Sequence, residues 1–204
     1  MCYAADQPAK VAGLCVIGCA GQYGVIGPTR FYLPFLKLKS IARLVGEWMA
    51  KQLRDPELLR KQLENMYVDK GAISNNLVTG LSCIWRDDET FARGKEVFSS
   101  IVKADPGRKW KDLVSEAEVG YCGPLLAVWG RKDQINPPET LIDLKECRPD
   151  LELKWLDGGH CVHDEKPREF NELLVEWATR VQQENRSFPI PRAPRYKVLE
   201  LWPF

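Results

Sequence analysis

No CxxC pair occurs among the seven cysteines, and their number is odd. In a chain of 204 residues that makes a disulfide framework the poorer reading and reduced thiols in a reducing compartment the simpler one. No apolar run reaches the ~18 residues of a membrane span. Neither charge sign dominates: the net charge is +1, which gives no electrostatic case for nucleic acid or an anionic membrane as partner. The start, MCYAADQPAK, lacks a basic region followed by an apolar stretch, so no targeting peptide is read there. Histidine is scarce, with two in the chain, His160 and His163. What is present is an ordinary globular composition, 45% hydrophobic and 28% charged, long enough for one sizeable core or a core with a small cap.

Hydrophobic patterning divides the chain. Residues 1 to 9 read as the last turns of a helix that Pro8 ends. Residues 11 to 18, VAGLCVIG, are a short apolar run closed by glycine, suited to a buried parallel strand. A loop containing Gly18, Gly21, Gly24 and Gly27 follows. Residues 31 to 115 look helical. Ile41, Leu44, Val45, Trp48, Met49 and Leu53 recur at helical spacing and predict one apolar face. Asp55-Pro56 starts a new helix with proline at its first position, and residues 88 to 103 give another. PLLAVWG from 124 is a second buried strand, NPPETLIDLKECRP a helix opening at Pro137 or Pro138, and LELKWL at 151 to 156 a third strand. A final helix is expected over 167 to 183, with Phe170, Leu173, Leu174, Trp177 and Val181 on one face. The tail is broken by prolines and is expected to wrap the surface or hang loose.

This organisation predicts an α/β fold: a parallel sheet with a helical insertion, closing in a βαβα unit with right-handed crossovers. The expected divisions are residues 1–27 for a core helix end, strand and loop, 28–118 for a helical cap, 119–183 for the core βαβα unit, and 184–204 for the tail. Three strands alone leave an exposed edge, so a further pairing element is expected.

In open parallel sheets ligands bind beyond the carboxyl ends of the strands. Two loops lie at such ends. WGRKDQINPP holds Asp133, and DGGHCVHDE holds His160. A carboxylate accepting from an imidazole N–H fixes its tautomer and steadies the imidazolium formed during reaction. Neighbouring parallel strands would bring the two together.

Here the chain resembles the α/β-hydrolase fold enzymes. PLLAVWGRKDQINPP is similar to the acid loop of that family, and GGHCVHDEKPREFNELLVEW to its histidine loop and last helix. The family order is nucleophile, acid, histidine, so the resemblance implies Asp133 as the acid and His160 as the general base. The wording G-H-C-x-H-D-E is similar to a plant and cyanobacterial branch that includes pheophytinase-like plastid enzymes, which points by analogy to a plastid. Relatives often carry proline where this chain has Val162. YAADQPAKVAGLCVIGCAGQYG resembles the helix and strand after the nucleophile elbow. The family's G-x-S-x-G serine would then fall just upstream of Met1, and no G-x-S-x-G occurs in the sequence.

The resemblance implies a carboxylic-ester hydrolase with a small, lipophilic ester as partner, no metal and no organic cofactor, N-terminally truncated as given. The 204-residue chain is expected to be inactive by itself, because a triad without its nucleophile loses about a millionfold in turnover. Two alternatives stay open. An aspartate nucleophile upstream would give an epoxide hydrolase or dehalogenase. A genuine short product would instead be a non-catalytic binding or regulatory half-domain that needs a partner chain over its sheet edge.

Other residues read more plainly. His163 is expected to steady the loop with Asp164 or Glu165. His160, Cys161, His163 and Asp164 are too crowded for common zinc spacings. Gly18, Gly21 and Gly24 do not match the dinucleotide spacing and read as a turn at the pocket mouth. RFYLPFLKL at 30 to 38 reads as cap-to-core packing. Cys15, Cys19 and Cys83 read as small buried hydrophobes, and Cys2 lacks the glycine neighbours of a nucleophile turn.

Overall fold

The computed structural model describes residues 1–19, 39–102, 113–114 and 120–187. The glycine loop beyond Gly18, the RFYLPFLKL stretch and the tail from 188 lie outside the described residues.

Three parallel strands form the sheet: β1 (Leu14–Ile17), β2 (Leu125–Gly130) and β3 (Glu152–Leu156). Their spatial order is their chain order, with Leu14 beside Leu125 and Leu126 beside Glu152. All six residues of β2 are buried, as a central parallel strand covered on both faces requires. Alternation sends Leu125, Ala127 and Trp129 into one core and Leu126 and Val128 into the other. The first core is closed by Ala5 of the short α1 (Cys2–Asp6) and by Leu141 and Leu144 of α6 (Leu141–Cys147). The second is closed by Phe170, Trp177 and Val181 of α8 (Pro167–Ser187). That last helix runs on to Ser187, beyond the expected end at 183.

Between β1 and β2 lie α2 (Lys39–Arg54), α3 (Pro56–Glu64), α4 (Asn75–Arg86) and α5 (Asp88–Val102). Asp55 caps α3 by accepting from the backbone N–H groups of Glu57 at 2.8 Å and Leu58 at 3.1 Å, with Pro56 at the first helical position. Ser74 caps α4 by accepting from the Leu77 N–H at 3.0 Å. The α4 helix carries Leu77, Val78, Leu81, Ile84 and Trp85 at helical spacing, within the stretch from 31 to 115 expected to be helical.

The buried side of α2 differs from the expected one. Ala42, Gly46 and Ala50 are buried, while Leu44 is 69% and Trp48 58% exposed. The reason is close approach to α5. A Cβ on Gly46 would collide with Ser99, which is itself buried. Small residues let two helix backbones come together where large ones cannot. Val97 of α5 is likewise exposed. Cys83 is exposed on α4, and Cys15 and Cys19 are half-buried, so the reading of Cys83 as a buried hydrophobe is corrected.

A buried arginine anchors the return from the cap. The Arg148 guanidinium donates to the carbonyl oxygens of Tyr121 at 2.9 Å, Gly123 at 2.8 Å and Val114 at 3.3 Å. It also grips both oxygens of Asp150, at 2.7 and 2.6 Å. Five donors in a rigid fork suit this task. The segment leading into β2 is thereby tied to the turn leading into β3.

Candidate active site

The carboxyl ends of β2 and β3 are stitched together by the backbone. Arg131 N–H donates to the Leu156 carbonyl and Lys132 N–H to that of Gly158, each at 3.0 Å. Gly130 ends β2 so close to the β3 loop that a Cβ there would overlap the carbonyl oxygens of Gly158 and Gly159. Only glycine lets the two loops meet at that distance.

Asp133 follows in the resulting turn, its carboxylate fully buried. Oδ1 accepts from the backbone N–H groups of Ile135 and Asn136, each at 2.9 Å. Oδ2 lies 3.0 Å from Nδ1 of His160. A carboxylate only accepts, so the Nδ1–H donates and Nε2 is the ring nitrogen left for proton transfer. The His160 side chain is 20% exposed, so the pair has one sealed member and one that reaches solvent.

The acid loop is held from two further directions. Trp129 Nε1 donates to the Asn136 carbonyl at 2.8 Å, and Asn136 Nδ2 donates to the Gly18 carbonyl at 2.6 Å. Gly18 ends β1 with φ +46°, in the left-handed region glycine favours. The three strand ends therefore converge on one spot, with Asp133 and His160 at its centre.

The histidine loop does not stay irregular. Its end forms a helical turn, α7 (Val162–Glu165), and Val162 is buried in the α8 core. Two residues of that turn reach the segment between α3 and α4. Tyr67 OH donates to Asp164 Oδ2 at 2.6 Å. Glu165, 7% exposed, accepts from Val68 N–H at 3.0 Å, Asp69 N–H at 2.7 Å and Gly159 N–H at 2.7 Å. Burial, and next the bond to Asp164, hold the Tyr67 phenol well above its ordinary range. Burial likewise lifts the Cys161 thiol, with the Tyr67 hydrogen bond opposing.

His163 departs from expectation in its partner. It is exposed and lies edge-on to Phe170, with ring centroids 6.0 Å apart. Asp164 and Glu165 are engaged with the cap, and a ring pointing to solvent rests on the nearest aromatic. Among the described residues no cluster of histidine, cysteine and acidic side chains could hold a metal ion. A surface cavity of about 520 Å³ lies between α3 and α4, lined by Pro56, Arg60, Asn75 and Val78 among others, and it includes neither Asp133 nor His160.

With this geometry in view, comparison with known proteins is decisive for the family. Residues 1–167 match the family model described as alpha/beta hydrolase fold. The chain belongs to the alpha/beta hydrolase fold family. An abhydrolase domain-containing protein of Schizosaccharomyces pombe is 39% identical over 57 residues, which are 28% of this chain and 21% of that protein. Among solved structures, the chain is similar in fold to an epoxide hydrolase from Bacillus megaterium solved with an inhibitor. The TM-score is 0.55 at 18% identity, covering 87% of this chain and 64% of that one. A thermophilic esterase from Thermogutta terrifontis, with malate bound, gives a TM-score of 0.54 at 16% identity, covering 87% of this chain and 59% of that one. This α/β-hydrolase chain thus spans less than two thirds of the length of each of these relatives. Family and neighbours alike are hydrolases.

The sequence reading expected Asp133 and His160 to meet, and the structure brings them together; it gave no sign of the contacts that Glu165, Tyr67 and Asn136 make. Each of these three acts on a residue far away in the chain, and neither spacing nor periodicity signals such a contact.

Proposed function

We propose that Asp133 and His160 are the acid and general base of a hydrolase triad that cleaves a carboxylic ester. The single observation that carries the reading is the Asp133 Oδ2 to His160 Nδ1 contact of 3.0 Å, placed at the carboxyl ends of two adjacent parallel strands. In the proposed reaction a serine preceding α1 attacks the ester carbonyl. His160 Nε2 takes the serine proton and later delivers it to the leaving alcohol. Asp133 holds the imidazole in the Nδ1–H tautomer and steadies its positive charge. The described helices between β1 and β2 form a cap that selects the substrate and limits water. No metal or organic cofactor has a part in this scheme.

The sequence contains no G-x-S-x-G, so the proposal makes a direct demand on the native protein. Intact mass and peptide mapping from source extracts should reveal a species well above 23.3 kDa with upstream peptides containing that motif. In that longer protein, His160→Ala should abolish hydrolysis of short and medium acyl esters. The 204-residue chain alone should hydrolyse none. A native species of 23.3 kDa without upstream peptides, or full esterase activity in His160→Ala, sinks the reading.

A further inference from the structure

Asp133 and His160 are fixed to different parts of the molecule. Asp133 is held by the core, through the Ile135 and Asn136 amides, with Trp129 and Gly18 bracing Asn136. The backbone before His160 is tied to the acid loop at Gly158, whose carbonyl accepts from the Lys132 N–H at 3.0 Å, but at His160 itself the partner is the cap. The His160 N–H donates to the Met66 carbonyl at 2.9 Å. The preceding residue, Gly159, gives its N–H to Oε1 of Glu165, whose Oε2 accepts from Val68 and Asp69. Gly159 lies directly against this segment: a Cβ there would stand 2.8 Å from the Met66 carbonyl oxygen and 3.0 Å from the Val68 nitrogen.

Glu165 is the piece without an ordinary structural explanation. It is a buried carboxylate whose hydrogen-bond partners are three backbone N–H groups. Burying a carboxylate is costly unless its oxygens are satisfied. An apolar side chain could fill the same space but could not join the two backbones. One carboxylate oxygen serves the peptide before His160 and the other serves the cap.

We propose that Glu165 is a positioning residue that fastens His160 to the cap segment Met66–Asp69, so that the alignment of His160 on Asp133 depends on where the cap sits. The proposal rests on the assignment of Asp133 and His160 above. Tyr67 and Asp164 form a second, parallel strap. A cap displaced from the core carries the His160 backbone with it while Asp133 stays behind.

The test does not require a nucleophile. The chain has two histidines, so ¹⁵N-imidazole labelling gives two ring systems, and His163→Asn assigns them. Wild type should show His160 as the Nδ1–H tautomer with a low-field ring proton. In Glu165→Gln one oxygen becomes an NH₂ group facing N–H donors. That signal should then weaken and shift toward the Nε2–H tautomer in a chain that still melts cooperatively. Tyr67→Phe should have a smaller effect of the same sign. A folded Glu165→Gln with the His160 signal unchanged overturns the proposal.

Should Glu165 variants fail to fold, hydrogen exchange in the wild-type chain decides. The amides of Gly159, His160, Val68 and Asp69 should exchange through one shared opening, and unequal protection overturns the proposal. In a longer active protein, Glu165→Gln should lower kcat by about a hundredfold with KM little changed, as expected for a misplaced catalytic group. An inactive longer protein that keeps the NMR response would refute the hydrolase assignment and leave the coupling standing.

Discussion

A Cβ on Gly18 would stand 3.2 Å from His160 Nδ1 and 3.4 Å from Asp133 Oδ2. The end of β1 is thus packed onto the Asp133–His160 pair itself. Gly18→Ala meets two obstacles: a φ of +46°, which costs an L-residue about 1–2 kcal/mol, and the imidazole in its way. The variant should melt several degrees lower and lose the His160 low-field proton. Calorimetry and NMR on one sample read both effects, and an unchanged His160 signal would show that Gly18 is free to move aside.

Asp133→Asn keeps the shape of the acid loop and changes what it can do for His160. An amide in place of the carboxylate favours the wrong imidazole tautomer. In a longer protein that carries the proposed serine, kcat should fall by about 10⁴. Steady-state ester hydrolysis checks this, and a loss of tenfold or less would remove Asp133 from the triad.

Arg148→Met should destabilise the chain by about 3 kcal/mol or more, because three carbonyl oxygens and a carboxylate lose their donor together. Its pH dependence is also fixed in sign. The hydrogen bond from Arg148 is the largest cause holding the Asp150 carboxyl below its ordinary value of 3.8. A carboxyl depressed in the folded state adds stability at neutral pH and loses it as pH falls below that ordinary value. Urea titrations from about pH 6 to about pH 2 should therefore show a steeper acid loss in wild type than in Arg148→Met. Parallel curves would mean that Asp150 gains nothing from the contact.

The thiols should react in a set order. Burial lifts Cys15 to about 11 and Cys19 to about 12, so near pH 8 both are almost wholly protonated and poor nucleophiles. Cys2, Cys83 and Cys122 are exposed and should be alkylated first. Timed labelling with mass spectrometry reads the order. Early labelling of Cys19 would reveal an opening at the end of β1.

Much of the core was legible because its signals are local. The six-residue run of β2 is apolar throughout and is buried throughout, and Asp55-Pro56 carries its own cap. Asp133 and His160 could be read because a parallel sheet dictates where loops after neighbouring strands must meet. The α2 face was misread because the sequence shows which residues are apolar and not which backbones approach closely. Gly46 carries little hydrophobic weight, yet it is where α2 comes closest to Ser99 of α5. Glu165 was paired with the wrong neighbour because its true partners, Val68 and Asp69, sit nearly a hundred positions earlier. Only the folded cap brings them to it.

The cap departs from β1 and returns at β2, and these strands are hydrogen-bonded neighbours. Because the two strands are parallel, with Leu14 beside Leu125 and Ile17 beside Val128, its ends are pinned at opposite ends of β1, one strand spacing of roughly 4.8 Å apart across the sheet, whatever lies between them. Closing a longer insertion costs little, about 0.6 kcal/mol for each doubling of length. The cap is therefore an interchangeable part with a fixed socket: its helices can be lengthened, shortened or exchanged without disturbing sheet register. Among the described residues, the short stretch from Met66 to Asp69 cannot be exchanged freely, and neither can Val114, whose carbonyl accepts from Arg148. A grafted cap of any other design would have to offer His160 and Glu165 a carbonyl and two N–H groups in the same places.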